Sequence, residues 1–316
     1  MTKGKSLTII IPAYNASKTI GETLRSIYMP KIHLSNKWGL EVIVVDDGSS
    51  DSNDLKEVIK YFPEVKLLSH KRNRGMNAAR NTGIQSSKGD IVVILDADDQ
   101  FVPDWPDIFE QVVNEWPEDC NVCYSACRNP DGKITVGEPE YMGRLTFDDI
   151  LNERHSGEYL PMFRGCYIRN RGYVDLNMRK SCGVVSYLTM SQDAPFWVTP
   201  RILRIYNNRQ TGSVTSAWAS PLKARETALC YKVLFDRFGY YYQTRAPKIY
   251  RTKLLRYSVY LKLAHEKGAW RVWAKAIHWS CPLESIAVLM ILIFGGSFCS
   301  WFVNLAKQLG VIRRYG

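Results

Sequence analysis

The sequence predicts an α/β protein: a mixed, mainly parallel sheet flanked by helices, followed by a helical, basic and partly apolar carboxyl-terminal extension. Three observations lead there. Short aliphatic, β-branched runs alternate with stretches of helical periodicity over residues 7–105, the pattern of parallel strands joined by crossover helices. The run Ile91 to Leu95 reads as a fully buried strand and stops abruptly at Asp96-Ala97-Asp98-Asp99; open α/β sheets bind ligands outside the carboxyl ends of their strands. From Pro221 the composition turns basic and aromatic, then apolar.

In chain order, Leu7 to Ile11 is a buried strand closed by Pro12-Ala13-Tyr14-Asn15, and Ile20, Leu24 and Ile27 follow at i, i+4 and i+7, the spacing of one helical face. Glu41 to Val45 is a second strand, ending in Asp46-Asp47-Gly48-Ser49-Ser50-Asp51. A helix with Leu55, Val58, Ile59 and Phe62 on its inner face comes next, then a short strand, Val65 to Ser69. Residues 73–84 form a Gly-bounded helix rich in small residues, suited to close packing. There is no G-x-G-x-x-G after the first strand and no G-x-x-x-x-G-K-[ST] anywhere, which excludes the usual dinucleotide fold and the P-loop.

The 316 residues, 46% hydrophobic and 23% charged, suffice for a sizeable globular core in two sub-structures. The net charge of +11 is uneven: residues 1–150 carry −6 and residues 151–316 carry +17. A basic second half suits an anionic surface. Nucleic acid is not expected, because no helix-turn-helix, finger or RRM pattern is present. Of the eight cysteines, Cys120, Cys123 and Cys127 cluster without a His or a second Cys pair to complete a zinc site. They read as small residues on one strand face of a reduced, cytosolic chain. The polar start, Met1 to Ser6, is unlike a signal peptide.

Three carboxylates at the end of a buried strand repel one another. A divalent cation, Mg²⁺ or Mn²⁺, relieves that repulsion and also takes substrate phosphates; a solvated acidic turn is the competing reading. Two strand ends carry acids, Asp46/Asp47 and Asp96/Asp98/Asp99, and Arg80 falls between them in sequence. That set suits a nucleoside diphosphate, with one acid accepting from base or ribose, Arg80 facing phosphate and the second cluster holding the metal.

Four motifs in order, I-I-I-P-A-Y-N (9–15), V-V-D-D-G-S-S-D (44–51), N-R-G-M-N-A-A-R-N-T-G-I (73–84) and I-L-D-A-D-D (94–99), together resemble the family 2 glycosyltransferases of the GT-A fold. The resemblance covers residues 7–105 strongly and 106–215 loosely. It implies a nucleotide-sugar donor, usually a UDP-sugar, and transfer with inversion to a glycan or lipid-linked acceptor. By position, Pro12, Ala13 and Tyr14 would line the nucleoside. Asp47 would pair with the uracil edge, supported by Asp46, and Arg80 would sit by base and diphosphate. Asp96 would face ribose or a metal-bound water, and Asp98 would ligate the metal; Asp99 is either a further member of the cluster or a capped turn before Pro103. The segment Ser191 to Trp197 matches the family's base region and nominates Asp193, placed at the start of an aromatic-containing helix; Asp175 and Glu158 are rivals. Tyr206 to Thr215 resembles a segment that closes over the diphosphate and nominates Arg209 as a phosphate contact. Residues 160–174 match the stretch that meets the acceptor, or are an edge strand and a turn.

Residues 222–275 hold 13 Lys+Arg against 3 Asp+Glu. Residues 286–303 hold no charge and as a helix would span about 27 Å, at the lower edge of membrane-crossing length. The chain is therefore expected to divide into a nucleotide-sugar-binding half (1–105), an acceptor-binding half (106–220) and a helical membrane-associating region (221–316). Its expected place is the cytoplasmic face of the inner membrane, in cell-surface polysaccharide synthesis. A polyprenyl-phosphate glycosyltransferase and a non-catalytic nucleotide-sugar-binding protein are the alternatives.

Overall fold

A computed structural model describes residues 5–29, 34, 37–207, 220–277 and 282–295. The chain divides into two compact units, residues 1–150 with 154–208, and residues 151–153 with 209–316. In the first unit the elements run β1 (Lys5–Ala13), α1 (Ile20–Tyr28), β2 (Trp38–Asp46), α2 (Ser52–Ile59), β3 (Val65–Ser69), α3 (Met76–Ser86), β4 (Ile91–Ile94), β5 (Gln100–Phe101) and α4 (Trp105–Glu115). They continue with β6 (Val122–Arg128), β7 (Gly143–Leu145), α5 (Phe147–Leu151), β8 (Tyr159–Arg164), α6 (Gly165–Arg171), α7 (Gly183–Asp193) and β9 (Phe196–Ile205).

Eight strands lie in the order β3-β2-β1-β4-β8-β6-β9-β5, with β7 paired to β9 off this path. The first four are mutually parallel, joined by α1, α2 and α3. β8 runs antiparallel to both β4 and β6, so it is an interior strand rather than an edge. Successive strand residues point to opposite faces, and the core splits accordingly. Ile9, Ile11, Val42, Val44 and Val93 pack against Ile20, Leu24 and Ile27 of α1, Leu55 of α2 and Trp105 and Phe109 of α4. Ile10, Ile43, Val45, Val92 and Ile94 pack on the other face with Ala79 and Ile84 of α3, Ile168 of α6 and Met190 of α7.

The chain around residue 195 departs from expectation. Asp193 is the last residue of α7, and Phe196-Trp197 open β9 instead of a helix. The cause is local: a residue before proline is driven out of the helical region, and Ala194, ahead of Pro195, is extended at φ −162° and ψ 156°. The aromatic and β-branched residues that follow favour a strand.

The second unit is helical: α8 (Pro221–Arg245), α9 (Pro247–Leu263), α10 (Ala269–Ala276) and α11 (Pro282–Phe294). Its core joins Ala224 and Ala228 of α8, Leu254, Leu255 and Val259 of α9, Ala276 of α10 and Val288, Ile291 and Leu292 of α11. Among the described residues no helix is long and apolar enough to cross a membrane. Of the uncharged run 286–303, residues 296–303 lie outside the described residues.

Candidate functional site

The carboxyl ends of β1, β2 and β4 stand side by side: Ala13 pairs with Asp46, the Asp47 amide donates to the Ala13 carbonyl at 2.8 Å, and the Leu95 amide to the Ile10 carbonyl at 3.0 Å. Pro12, Ala13, Tyr14, Asp46, Asp47, Asp96, Asp98 and Asp99 are thereby gathered at one end of the sheet. Tyr14 is half exposed, leaving a ring face open to a ligand.

Asp46 and Asp47 are both buried and fasten the loops of this edge. Asp46 accepts from the Ser49 amide at 2.9 Å and the Ser52 hydroxyl at 2.6 Å. Burial works to raise its carboxyl, but these hydrogen bonds and the nearby Lys56 charge hold it below the ordinary carboxylate range. Asp47 accepts from the amides of Arg74 (2.9 Å) and Gly75 (2.8 Å) at the entry to α3. Its third partner is His70 Nδ1 at 2.6 Å; on the far side of that ring, Nε2 meets the Thr82 hydroxyl at 2.8 Å. With about four acceptor positions on a carboxylate, Asp47 keeps room for one further donor. Two glycines permit these approaches. Gly48 (φ +69°) presses on the Arg72 backbone, where a Cβ would lie 2.3 Å from a carbonyl carbon. At Gly75 (φ +99°) a Cβ would lie 1.9 Å from the Met178 carbonyl oxygen.

Arg80 reaches from α3 to Asp96 Oδ1 at 3.4 Å and to the Ser181 hydroxyl at 3.3 Å, and its guanidinium lies over the Tyr173 ring. Burial opposes its charge, yet Tyr173 and Asp96 beside it keep the proton on. Its Nε is buried without a hydrogen-bond partner.

The acid cluster is held by a residue that the sequence patterns did not single out. Arg204, buried near the end of β9, lies 3.1 Å from Asp99 Oδ2, 3.9 Å from Asp96 Oδ2 and 3.6 Å from Glu158 Oε2. Its Nη2 donates to the Tyr159 carbonyl at 3.1 Å and its Nε to Cys127 Sγ at 3.1 Å. Burial pushes the Cys127 thiol up to about 11, so the neutral sulfur accepts. Two register shifts between β6 and β9 bring Arg204 opposite Cys127, the re-aiming of a side chain that bulges perform. Burial outweighs the pull of Arg204 and of the Asn207 amide at 2.8 Å and raises the Asp99 carboxyl to about 7.

Asp98 differs from its neighbours. Its side chain makes no hydrogen bond or ion pair to another residue among those described, and burial, then the Asp96 charge, pushes its carboxyl up. A carboxylate whose counter-charge is only the Arg204 guanidinium, already shared with Asp99 and Asp96, has room for a divalent cation. Among the described residues no three or more His, Cys, Asp or Glu side chains converge as a metal cage.

Asp193 is not brought to this end. It accepts from the Tyr167 hydroxyl at 2.7 Å and pairs with Arg171 at 3.0 Å. β4 and β9 run in the same direction, with Trp197 level with Cys123, Met162 and Val93. Asp96 lies three residues beyond that level and Asp193 four residues before it. They therefore occupy opposite ends of the sheet, at least about 10 Å apart along the strands and about 14 Å across them. The base expected at Asp193 therefore lies at the other end of the sheet from the carboxylates that follow β4. Of its rivals, Asp175 closes its own turn by accepting from the Asn177 amide at 2.8 Å. Glu158, just ahead of β8 and half exposed, faces the Arg204–Asp96 cluster. Arg209 lies outside the described residues.

The family profile described as Glycosyl transferase family 2 matches residues 8–166. The chain belongs to glycosyl transferase family 2. Over 106 residues it is 36% identical to the undecaprenyl-phosphate 4-deoxy-4-formamido-L-arabinose transferase of Pseudomonas savastanoi pv. phaseolicola, a match covering 32% of this chain and 30% of that protein. The chain spans half or less of the length of the first curated relatives it matches. Among solved structures, S. aureus TarS 1–349 in complex with UDP-GlcNAc superposes with a TM-score of 0.55 at 17% identity, over 91% of this chain and 80% of that one. The mannosyltransferase PcManGT of Pyrobaculum calidifontis, in complex with GDP-Man and Mn²⁺, superposes at 0.51 with 19% identity, over 91% and 86%. At such identities the likeness is one of fold, and the fold of this family 2 member is GT-A.

Proposed function

We propose that this chain is an inverting glycosyltransferase that moves a sugar from a nucleotide-sugar, most simply a UDP-sugar, to a glycan or lipid-linked acceptor. Its place is the cytoplasmic face of the inner membrane, in cell-surface polysaccharide synthesis. The observation that carries the reading is the convergence of Tyr14, Asp47, Arg80, Asp96 and Asp98 at one sheet end, with Arg80 bonded to Asp96. In this reading Tyr14 offers its ring to the base beside Pro12 and Ala13, and Asp47, steadied by His70 and Asp46, accepts from a base N–H. Arg80 faces phosphate, Asp96 takes ribose hydroxyls or a metal-bound water, and Asp98 ligates the cation. Mg²⁺ or Mn²⁺, when bound, neutralises charge on the departing diphosphate. The acceptor oxygen attacks the anomeric carbon as the bond to the diphosphate breaks, and the acceptor proton passes to a carboxylate. In this reading the carboxylate is Glu158, ahead of β8, half exposed and 3.6 Å from Arg204. The Pseudomonas relative, named for undecaprenyl-phosphate, favours a second reading in which the acceptor is a lipid phosphate and needs no base.

The test is donor turnover. Purified chain incubated with a panel of nucleotide-sugars and Mn²⁺ should release the nucleoside diphosphate, faster with a bacterial lipid extract, and EDTA should stop it. No release with any donor, alongside tight binding of UDP, would leave a binding protein and sink the enzymatic reading.

A further inference from the structure

We infer that α10 and α11 form a docking face for an anionic lipid leaflet, entered shallowly and in the plane of the surface; this deepens the membrane placement proposed above and rests on it. α11 is apolar on two opposite sides. Val288, Ile291 and Leu292 face the core of the helical unit. On the other side Ile286, Met290, Ile293 and Phe294 are 55%, 37%, 53% and 58% exposed. They fall at i, i+4, i+7 and i+8, one continuous stripe on a helix of 3.6 residues per turn. After Glu284 the helix carries no charged residue. A helix that is apolar all round belongs in a core or in lipid, and among the described residues this one has a core on one side only.

The neighbouring helix identifies the medium. Trp273 Nε1 of α10 donates to the Ser285 carbonyl of α11 at 3.0 Å, so α10 lies against the first turns of α11. α10 exposes Trp270, and Ile277 just past its end, both at 49%. Lys267, Arg271 and Lys275, at successive i+4 steps, are exposed beside them. Glu284 of α11 and Glu266, beside Lys267 and paired with Arg225 at 3.2 Å, are the exposed acids of this stretch. Basic residues meeting headgroups, Trp at the interface and aliphatic residues reaching the acyl region are the chemistry of an in-plane anchor. A protein partner would match the stripe but leave the three cations unexplained. α11 is also too short to span a bilayer as it stands, 13 residues against the roughly 20 that spanning requires, which favours shallow insertion.

The experiment uses the full chain with vesicles of phosphatidylcholine alone and of phosphatidylcholine mixed with phosphatidylglycerol, read by flotation. The parent should bind the mixed vesicles and stay bound in high salt, since salt screens only the electrostatic part. Ile293→Ser with Phe294→Ser should weaken binding roughly a hundredfold or more, since returning each of the two side chains to water accounts for at least about tenfold. Arg271→Gln with Lys275→Gln should remove the preference for phosphatidylglycerol while leaving residual binding. Vesicle binding by the Ile293/Phe294 variant equal to that of the parent overturns the proposal. So does a parent dimer in sedimentation velocity that this variant converts to monomer with no change in vesicle binding, which would make the face a protein interface. UDP-induced thermal shift, measured on every form, separates the two readings: docking without any UDP response would sink the transferase reading and leave the docking face standing.

Discussion

Replacing Arg204 with Met tests how the acid cluster is held. The change keeps most of the side chain's length and removes its charge and five donors. Asp99 is then left 1% exposed, with the Asn207 amide but no cation. Removing one partner of a buried pair costs about 3–5 kcal/mol, because the remaining charge is uncompensated. Asp96 and Glu158 also lose Arg204 but are partly solvated, so they add little. The stranded Asp99 relieves its burial by taking a proton. Its folded pKa, already raised to about 7 beside Arg204, then rises further above the unfolded value of about 4, so between the parent and variant values only the variant holds the proton, and its stability relative to the parent falls as pH rises. The deficit should therefore be largest at alkaline pH, shrink by up to about 1.4 kcal/mol per pH unit as the pH falls toward about 7, and be small below it. The measurement is urea unfolding followed by circular dichroism, variant minus parent, at each pH. Adding Asp99→Asn should restore most of the loss, since the amide needs no counter-charge. A deficit that neither varies with pH nor responds to Asp99→Asn would refute charge compensation as the role of Arg204.

Other expectations are direct. Asp98→Ala should abolish the Mn²⁺-dependent part of UDP binding in calorimetry; equal affinity with Mn²⁺ and with EDTA in the parent would remove Asp98 from the metal role. Glu158→Gln should keep donor affinity and lower turnover by roughly 10²–10⁴-fold, whereas Asp193→Asn should leave turnover near normal. The reverse outcome would return the base to Asp193, and no loss in either would favour a phosphate acceptor. Gly75→Ala should weaken UDP binding and cost at least about 1–3 kcal/mol of stability, because its Cβ meets the Met178 carbonyl and displaces the amides that hold Asp47. A variant with unchanged UDP affinity would show that this loop is not part of the donor site.

The acidic edge of the sheet was legible because its residues sit at the ends of strands whose burial the aliphatic runs announce. Ile91 to Ile94 are buried and adjacent to β1, and acids placed after such runs share one edge by topology alone. The helical spacing of Ile20, Leu24 and Ile27 likewise matches their burial against the sheet. The second half was harder. The family resemblance placed a helix after Asp193, yet Pro195 makes Ala194 extended and a strand follows. Glu158 could be nominated but not placed, because the antiparallel turn of β8 toward the site is a long-range fact. Arg204 gave only a weak sign, a charged residue inside the strand-like run Phe196 to Ile205. Its partners depend on a double register shift against β6 that no local pattern encodes.

The strand order has a consequence for biosynthesis. β9 lies between β6 and β5 although it is the last of the nine to be made. Until it emerges, β6 and β5 flank an open slot with unpaired backbone edges, and the carboxylates after β4 await Arg204. From the end of β6 at Arg128 to the start of β9 at Phe196 the ribosome needs roughly 3–14 s at typical elongation rates. During that interval the nascent chain presents two edges able to accept a foreign strand, which makes this step the point in synthesis where a chaperone, or a pause, matters most.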